Sequence, residues 1–371
     1  MTRRLAAIAL LAFSFTAQAQ KTLHAPVHIG FCYPISTHGT YAHDYSNTFS
    51  AHALVGVSAA EEAFCASGFS NIVFRNTHGF TAAGFSNHIG GNSRGFVAAG
   101  FLNTIKHSTR GMQAAGFMNV SGKVYGAQLA GFGNIALGNI RGIQAAGFGN
   151  MARNVKGTQI AGYVNIARNV KGSQFSGYVN VADTVNTQVS GFINVARVAK
   201  VQVSAFMNLA DSCDYPIGII NIIRKGEKAL GFSADANGSM MANFRSGGRV
   251  LYGIVGLGYN VKDRYTNLFG LETGLGAHIN LAKNVRINIE GSTASFTDFT
   301  DEVFLTSTLR VLPTLSFGKH FELFAGPAIN SIQSDSYIGE SISNNYIWYD
   351  KSWGSFNGVY LTAYGGLHYR F

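Results

Sequence analysis

The stretch of sequence that decides the fold runs from Gly157 to Ala196: GTQIAGYVNIARNVK (157–171), GSQFSGYVNVADTVN (172–186) and TQVSGFINVA (187–196). One short phrase is repeated head to tail, and its most regular mark is an aromatic residue two positions before an asparagine. The spacing of this mark shortens along the chain from 16 to 13 residues, so the unit is a single coil or a strand with its turn. The marked asparagines are Asn71, Asn87, Asn103, Asn119, Asn134, Asn150, Asn165, Asn180, Asn194 and Asn208, with an aliphatic variant at Asn221.

Alternation within each copy predicts a β-strand. Gln159, Ala161, Tyr163, Asn165 and Ala167 share one face of the copy that begins at Gly157, and a period of two is typical of a strand. In a solenoid, equivalent residues of successive units stack about 4.8 Å apart. In a meander, successive strands run up and down. The near identity of neighbouring copies favours a β-solenoid of 14–16-residue units, with one large meander β-barrel as the alternative.

Stacking of identical units predicts ladders of amides and aromatic rings inside the repeat region. An asparagine side chain can donate a hydrogen bond to one neighbouring coil and accept one from the other, and stacked rings can fill a core. The predicted ladder residues are Phe148, Asn150, Tyr163, Asn165, Tyr178, Asn180, Phe192 and Asn194.

Cations collect in one column of the repeat, just before the opening position of each unit. Between Asn71 and Lys200 the chain has twelve Lys or Arg residues and one acid, Asp183. A stacked column of cations repels itself unless salt or an anionic partner intervenes, although solvated turns that protect sheet edges use the same residue types. The predicted contacts with an anionic partner are Arg94, Arg110, Arg141, Lys156, Lys171 and Lys200.

The two ends of the chain differ from the repeats in composition. Residues 1–19 combine two arginines, a short apolar run and small terminal residues, which predicts a secretory signal peptide. Residues 20–62 are expected to cap the first coil, because a repeat stack exposes its end. The short β-repeats are then assigned to residues 63–225 and a C-terminal β-barrel to residues 226–371.

The cap contains candidate metal ligands and two of the three cysteines. His24, His28, His38, His43 and His52 lack the close spacing of a ligand set, so we expect no metal site, and Glu61 and Glu62 are expected in a solvated turn. Export would place the cysteines in an oxidising compartment, where a disulfide can persist. The preferred pair is Cys32 with Cys65, which leaves Cys213 as the odd thiol.

Residues 226–371 predict a barrel of eight strands. Their bounds are about 228–236, 238–246, 249–260, 267–281, 285–297, 302–317, 319–333 and 357–371. Long strands with one apolar face are typical of an outer-membrane β-barrel, and Leu367, Tyr369 and Phe371 resemble the C-terminal recognition signal of such proteins. Eight strands make a barrel that its own side chains fill. An interior hydrogen-bonded network is therefore expected from Glu272, Glu290, Arg286, Arg310, His368 and Arg370.

The sequence carries no catalytic signature. It has no phosphate-binding glycine loop, no Ser/His/Asp order and no HExxH or CxxC motif. We therefore expect a protein that is not an enzyme, needs no cofactor and, because its aromatic residues lie on strand faces, does not bind nucleic acid.

The repeats also resemble those of a known family. GTQIAGYVNIARNVK and GSQFSGYVNVADTVN, followed by DYPIGIINIIRKGEKALGFSADANG, are similar to the GLQ-x-(A)GLxN repeats and closing PIG-x-x-N unit of bacterial surface-repeat proteins of the leptospiral and Bacteroidetes type. This chain has Phe or Tyr where Leu is usual. The resemblance implies an outer-membrane or surface location and no established activity.

Together these features predict a non-enzymatic outer-membrane protein of a Gram-negative cell envelope, in which a small barrel anchors a basic repeat region. The expected partners are outer-membrane lipid, the barrel-assembly machinery, and peptidoglycan or lipopolysaccharide. With eight strands both ends of the barrel domain face the periplasm, whereas with seven the repeats lie outside the cell. The alternative function is a single wide β-barrel that acts as an outer-membrane transport channel.

Overall fold

The computed structural model describes residues 22–248, 250–261, 268–299, 303–334, 338–352 and 354–371. The chain is all-β and forms a β-solenoid of about 12 turns and a closed antiparallel barrel of eight strands, which confirms the predicted fold class. It divides into two compact units, residues 1–122 and 123–371. Among the described residues, no helix is long and apolar enough to cross a membrane.

The solenoid is built from short and long strands joined by tight bends, with a 3-10 helix at Gly39–Asp44. Its strands are β1 (Leu23–Cys32), β2 (Ile35–Ser36), β3 (Tyr45–Ser58), β4 (Ala60–Ser67), β5 (Ser70–Val73), β6 (Thr77–Ala83), β7 (Ser86–Ile89), β8 (Ser93–Ala99), β9 (Leu102–Ala115), β10 (Met118–Ala130), β11 (Gly133–Ala146), β12 (Gly149–Ala161), β13 (Val164–Ile166), β14 (Asn169–Ser176), β15 (Val179–Ser190), β16 (Ile193–Ser204), β17 (Met207–Ile217) and β18 (Ile220–Ile223).

Equivalent strands of successive coils pair in parallel and in register. In the second unit Asn150 pairs with Asn134 on one side and with Asn165 on the other, and in the first unit Asn71 pairs with Asn87. Parallel pairing brings identical positions next to each other, whereas a meander pairs strands antiparallel. The alternative of one large meander barrel is therefore wrong.

Two amide ladders run through the solenoid interior. Asn165 Nδ2 donates to Asn180 Oδ1 of the next coil at 3.0 Å and also to the backbone carbonyl of Phe175 at 2.6 Å. Gln174 Nε2 donates in the opposite direction, to Gln159 Oε1 of the previous coil at 2.9 Å. These asparagines and glutamines are fully buried. Each amide therefore meets the rule that buried polar groups are hydrogen-bonded.

The aromatic ladder also forms, but it lies on the outer surface. The rings of Tyr163 and Tyr178 stack with centroids 4.8 Å apart, yet Tyr163 is 46% exposed. The chain bends at Gly162 and Tyr163, between β12 and β13. This bend interrupts the alternation that would have carried Tyr163 inside with Asn165. The prediction that stacked rings fill the core is wrong, and small aliphatic side chains such as Val155 and Val170 fill it instead.

The barrel strands match the eight predicted ones closely. They are β19 (Lys228–Asp235), β20 (Ser239–Gly247), β21 (Leu251–Asn260), β22 (Leu268–Ala282), β23 (Val285–Thr297), β24 (Val303–Phe317), β25 (Phe321–Ser334) and β27 (Ser355–Arg370). Pairing of Ala229 with Arg370 joins the first strand to the last and closes the barrel. Between the seventh and eighth predicted strands, where no element was assigned, the chain forms helix α1 (Ile338–Ile342) and strand β26 (Tyr346–Ser352), which pairs with β27.

The last solenoid coil packs against one end of the barrel. Asn221 ends the asparagine ladder, and its backbone N–H donates to Ser246 Oγ of β20 at 3.1 Å. A Cβ placed on Gly253 of β21 would come within 2.2 Å of the carbonyl oxygen of Ile219. Glu227, between solenoid and barrel, accepts from Arg286 Nη1 at 2.7 Å. The junction is thus held by backbone contact and by buried polar bonds.

Candidate functional site in the solenoid

The structure places the predicted cations in columns along the solenoid. In the first unit Arg94 pairs in register with Arg110, and His78 pairs with Arg94. In the second unit Lys156 pairs with Arg141 and with Lys171. All of these residues except His78 belong to the predicted set of cations, and their side chains are exposed. We call these two runs of three residues the basic column of each unit.

A glycine corner fixes the position of each cation. Lys156 is followed by Gly157, whose φ of +139° is a conformation that residues with a Cβ rarely adopt. A Cβ added to Gly157 would also lie 2.0 Å from the carbonyl oxygen of Gly142 in the coil before. The same corner follows Arg94 and Arg141. The corner therefore places the residue before each of these glycines at an equivalent point of its coil.

Acids pair with a second set of cations. Arg168 Nε lies 3.4 Å from Asp183 of the following coil, and Arg224 Nε lies 3.0 Å from Asp211. Lys200 of the predicted set faces Asp214, because its neighbours pair Ala199 with Cys213 and Val201 with Tyr215. By contrast, the chain has no Asp or Glu at all between Glu62 and Asp183. The basic columns lie within this acid-free stretch.

A groove follows the basic column of the first unit. Its cavity has a volume of about 240 Å³ and is lined on one side by His78, Arg94 and Arg110. The other side is a column of polar residues, Asn76, Asn92 and Ser108, one from each coil. Asn92 Nδ2 donates to Asn76 Oδ1 at 3.3 Å, and Ser108 Oγ donates to Asn92 Oδ1 at 2.5 Å. Cations and polar donors thus line a single groove.

The first coils contain a buried cluster that the sequence analysis missed. The ring of His28 lies 4.4 Å from that of His52 and 4.5 Å from that of His38, measured between centroids. Asn47 Nδ2 lies 3.3 Å from both His28 Nδ1 and Glu61 Oε1. Glu61 was expected in a solvated turn, but it is only 1% exposed, because β4 turns its side chain into the coil interior. The signal was the richness of the cap in histidine, of which three residues join this cluster, and parallel pairing of β1 with β3 brings His28 and His52 together.

Burial controls the protonation of this cluster. It lowers the pKa of His28 to about 3, with help from the charges of His52 and His38, and also lowers the pKa of His38 and His52. Burial raises the pKa of Glu61 to about 7. Between these limits the His28 imidazole is neutral and the Glu61 carboxyl is protonated. Within the described residues, no group of three or more His, Cys, Asp or Glu side chains is placed to hold a metal ion.

The predicted disulfide does not form, and all three cysteines are free thiols. Cys65 lies on β4, which is separated from the β1 strand of Cys32 by β3. Two strand spacings of about 4.8 Å already exceed the roughly 7 Å that a disulfide allows between Cα atoms. The Cys65 thiol instead donates to Asn71 Oδ1 at 3.2 Å. The Cys32–Cys65 pairing is therefore wrong.

Charged side chains form a filled network inside the barrel. Arg310 bonds to Glu290 at 2.6 Å and to Glu272 at 2.9 Å. Arg245 donates two further bonds to Glu290, at 2.8 and 3.0 Å. A second cluster joins Arg286, Glu322 and Arg370, with His368 against it. The expected interior network is confirmed, and it extends to Arg245 and Glu322.

The outer face of the barrel is apolar. Leu367, Tyr369 and Phe371 of the predicted C-terminal signal all have exposed side chains, and Phe371 is 64% exposed. The same strand adds Leu361, and other strands contribute Leu230, Phe232, Leu257, Phe269, Leu271, Leu275, Ile279, Leu309, Leu315, Leu323 and Ile329. The barrel has charges inside and hydrocarbon outside, which is the reverse of a water-soluble barrel.

Comparison with known proteins does not assign the chain to a family. No family model matches it, and no curated protein and no solved structure gives a significant match. The class is defined by architecture alone: a β-solenoid with interior amide ladders, joined to a closed eight-stranded barrel.

Proposed function

We propose that this chain is a non-enzymatic outer-membrane protein of a Gram-negative envelope, in which the barrel is the membrane anchor and the solenoid presents a basic surface to an anionic envelope polymer. The observation that carries the proposal is the reversed polarity of the barrel. Buried Arg310, Glu290 and Glu272 pair with one another, while leucine and phenylalanine side chains face outwards on most strands. An apolar outer face and a polar interior are the pattern of transmembrane barrels.

Strand pairing supports the anchor role further. Every barrel strand has two neighbours, since β19 pairs with β27. A closed barrel leaves no unpaired strand edge, which is the condition for crossing hydrocarbon with β-structure. The ion-paired interior favours an anchor over a channel, because an eight-stranded barrel has room only for its own side chains. The residues Leu367, Tyr369 and Phe371 would then be available to the barrel-assembly machinery.

The two ends of the barrel differ, and this supports a periplasmic solenoid. At the end that carries the solenoid, strands are joined by residues 248–250, 283–284 and 318–320, and β27 finishes there. At the other end the connections are 236–238, 261–267, 298–302 and 335–354. Transmembrane barrels have short periplasmic turns and longer external loops. The solenoid would then face peptidoglycan carboxylates or inner-leaflet phosphates, and the resemblance to surface-repeat proteins stays a prediction.

Protease accessibility in intact cells tests both the anchor and its orientation. A cleavage site inserted at Asp350 in β26 should be cut by external protease, and a matched site inserted at Arg141 should be cut only after the outer membrane is permeabilised. Recovery of the protein in the soluble fraction would overturn the anchor. Cleavage at Arg141 in intact cells would overturn the periplasmic placement alone.

A further inference from the structure

The basic column of the first unit combines two recognition chemistries at one repeat distance. His78, Arg94 and Arg110 recur in register, so their side chains start about 4.8 Å apart along the solenoid axis. Beside them Asn76, Asn92 and Ser108 recur at the same interval and line the same groove. Each asparagine Nδ2 carries two hydrogens, and the contact between Asn92 and Asn76 uses one of them. The groove therefore offers polar hydrogen-bonding groups once per coil and an arginine in two successive coils.

The nearest acids along the chain, Glu61 and Glu62, lie at the His78 end of this column, because Glu61 pairs with Thr77. Residues 63–122 contain no Asp or Glu. Glu61 is buried, and Glu62 bonds to Ser46 Oγ at 2.9 Å. Two like charges about 4 Å apart in water repel by about 1 kcal/mol. Binding of an anion that spans several coils would remove this repulsion, and each further contact would form at high effective concentration.

We propose that this groove binds a linear acidic polysaccharide that lies along the solenoid axis, with carboxylates on Arg94 and Arg110 and sugar hydroxyls on Asn76, Asn92 and Ser108. A linear chain is favoured because the site is itself a row, and one hexose unit is about as long as one coil spacing. Arginine offers the planar fork that fits a carboxylate. The neighbouring side chains of Asn76, Asn92 and Ser108 carry no charge that would attract a phosphate chain. They can form hydrogen bonds with the neutral hydroxyl groups of a sugar. The proposal rests on the proposed function and deepens it.

Oligogalacturonates of defined length test the geometry. The full-length protein in detergent is titrated with galacturonate monomer, tetramer and dodecamer, and with polyphosphate of matched charge. The tetramer is expected to bind at least about 100-fold more tightly than the monomer, because contacts to successive coils add. The logarithm of the binding constant should fall with the logarithm of salt by about 0.7 for each cation engaged, the coefficient of single-stranded polyanions.

Matched variants separate the groove from general charge. Arg94→Gln should weaken dodecamer binding about three- to five-fold, and Asn92→Ala should weaken galacturonate but not polyphosphate. Lys106→Gln removes the same charge from an exposed residue that does not line the groove and should change little. Equal loss from Lys106→Gln and Arg94→Gln, or equal affinity for monomer and dodecamer, would overturn the site. Polyphosphate binding as tight as galacturonate, insensitive to Asn92→Ala, would overturn the polysaccharide. None of these outcomes bears on the membrane anchor, which the protease experiment tests separately.

Discussion

The solenoid and the barrel pair their buried polar side chains in opposite ways. The solenoid interior stacks identical neutral amides, as between Asn165 and Asn180. The barrel interior pairs unlike charges, as between Arg310 and Glu290. In-register parallel pairing brings each side chain against its own copy, so a buried position must be self-complementary, and an amide is both donor and acceptor. Antiparallel pairing brings different residues together, so it can use complementary charges.

The largest effect is expected from breaking a charge pair in the barrel. Glu290→Gln leaves Arg245 and Arg310 without their shared carboxylate while both stay buried. Removal of one partner of a buried ion pair costs about 3–5 kcal/mol. Urea unfolding of the barrel in micelles, followed by its heat-modifiable gel shift, measures the loss. As a control, Glu340→Gln at the exposed pair with Lys351 should cost under about 1 kcal/mol. Equal stability of the two variants would contradict the role of the network.

A charge placed in the amide ladder should destabilise the solenoid by a smaller amount. Asn165→Asp keeps an acceptor for Asn150 but loses the donor to Asn180 and Phe175. An unsatisfied buried acceptor costs about 1–3 kcal/mol. Hydrogen exchange of residues 150–195 measures this. The matched control is Asn154→Asp, in the outer row where Asn154 Nδ2 donates to Asn139 Oδ1 at 2.8 Å. If Asn154→Asp destabilises the solenoid as much as Asn165→Asp does, the need for a self-complementary side chain does not explain the buried asparagine ladder.

The first coils depart from the amide rule and should therefore respond to pH. The pKa of His28 is lowered to about 3, so its contribution to stability is present above 6.5 and is lost as the pH falls through 3. The pKa of Glu61 is raised to about 7, so its contribution is present below 4.5 and is lost as the pH rises through 7.

Hydrogen exchange of residues 28–61, corrected for intrinsic rates, follows this dependence. Protection should fall in acid before that of residues 150–195. The Glu61→Gln variant should lack the alkaline loss while keeping the acid loss. A variant with the same alkaline loss as the original protein would show that Glu61 is not its source.

The smallest effect is expected from the outer aromatic ladder. Tyr163→Ala removes one ring from an exposed stack, and such aromatic pairs contribute about 0.5–1.5 kcal/mol. By comparison, Phe304→Ala removes a buried ring in the barrel and should cost about 3–5 kcal/mol. Thermal unfolding of the solenoid measures the loss of stability in Tyr163→Ala, and thermal unfolding of the barrel measures the loss in Phe304→Ala. A loss of stability for Tyr163→Ala as large as that for Phe304→Ala would indicate that the Tyr163 ring is buried in the solenoid.

Local patterns predicted most of the fold. The alternation of apolar and polar residues located the eight barrel strands within a few residues. The near-identity of the repeat copies predicted parallel stacking, because only stacking places the same residue of each copy next to its equivalents. Tyr163 was predicted on the inner face because the alternation of inward and outward residues was continued through Gly162. The chain bends there, and the alternation of the sequence does not reveal this bend. The buried cluster of His28, His52 and Glu61 was missed because parallel coils join residues that are far apart in sequence. The strand β26 was missed because its residues resemble an exposed loop.

The opposed directions of the two interior ladders have a consequence for the net amide dipole of the stack. Asn194 Nδ2 points its bond forward to Asn208, while Gln202 Nε2 points its bond back to Gln188. Each ladder alone would add one amide dipole per coil in a fixed direction, but side by side the two contributions oppose each other. Where both ladders are present, an added or deleted coil therefore changes the number of stacked amides without adding a net amide dipole along the stack. Pro216, which stands opposite Gln202, ends the glutamine row in the last coils before the barrel.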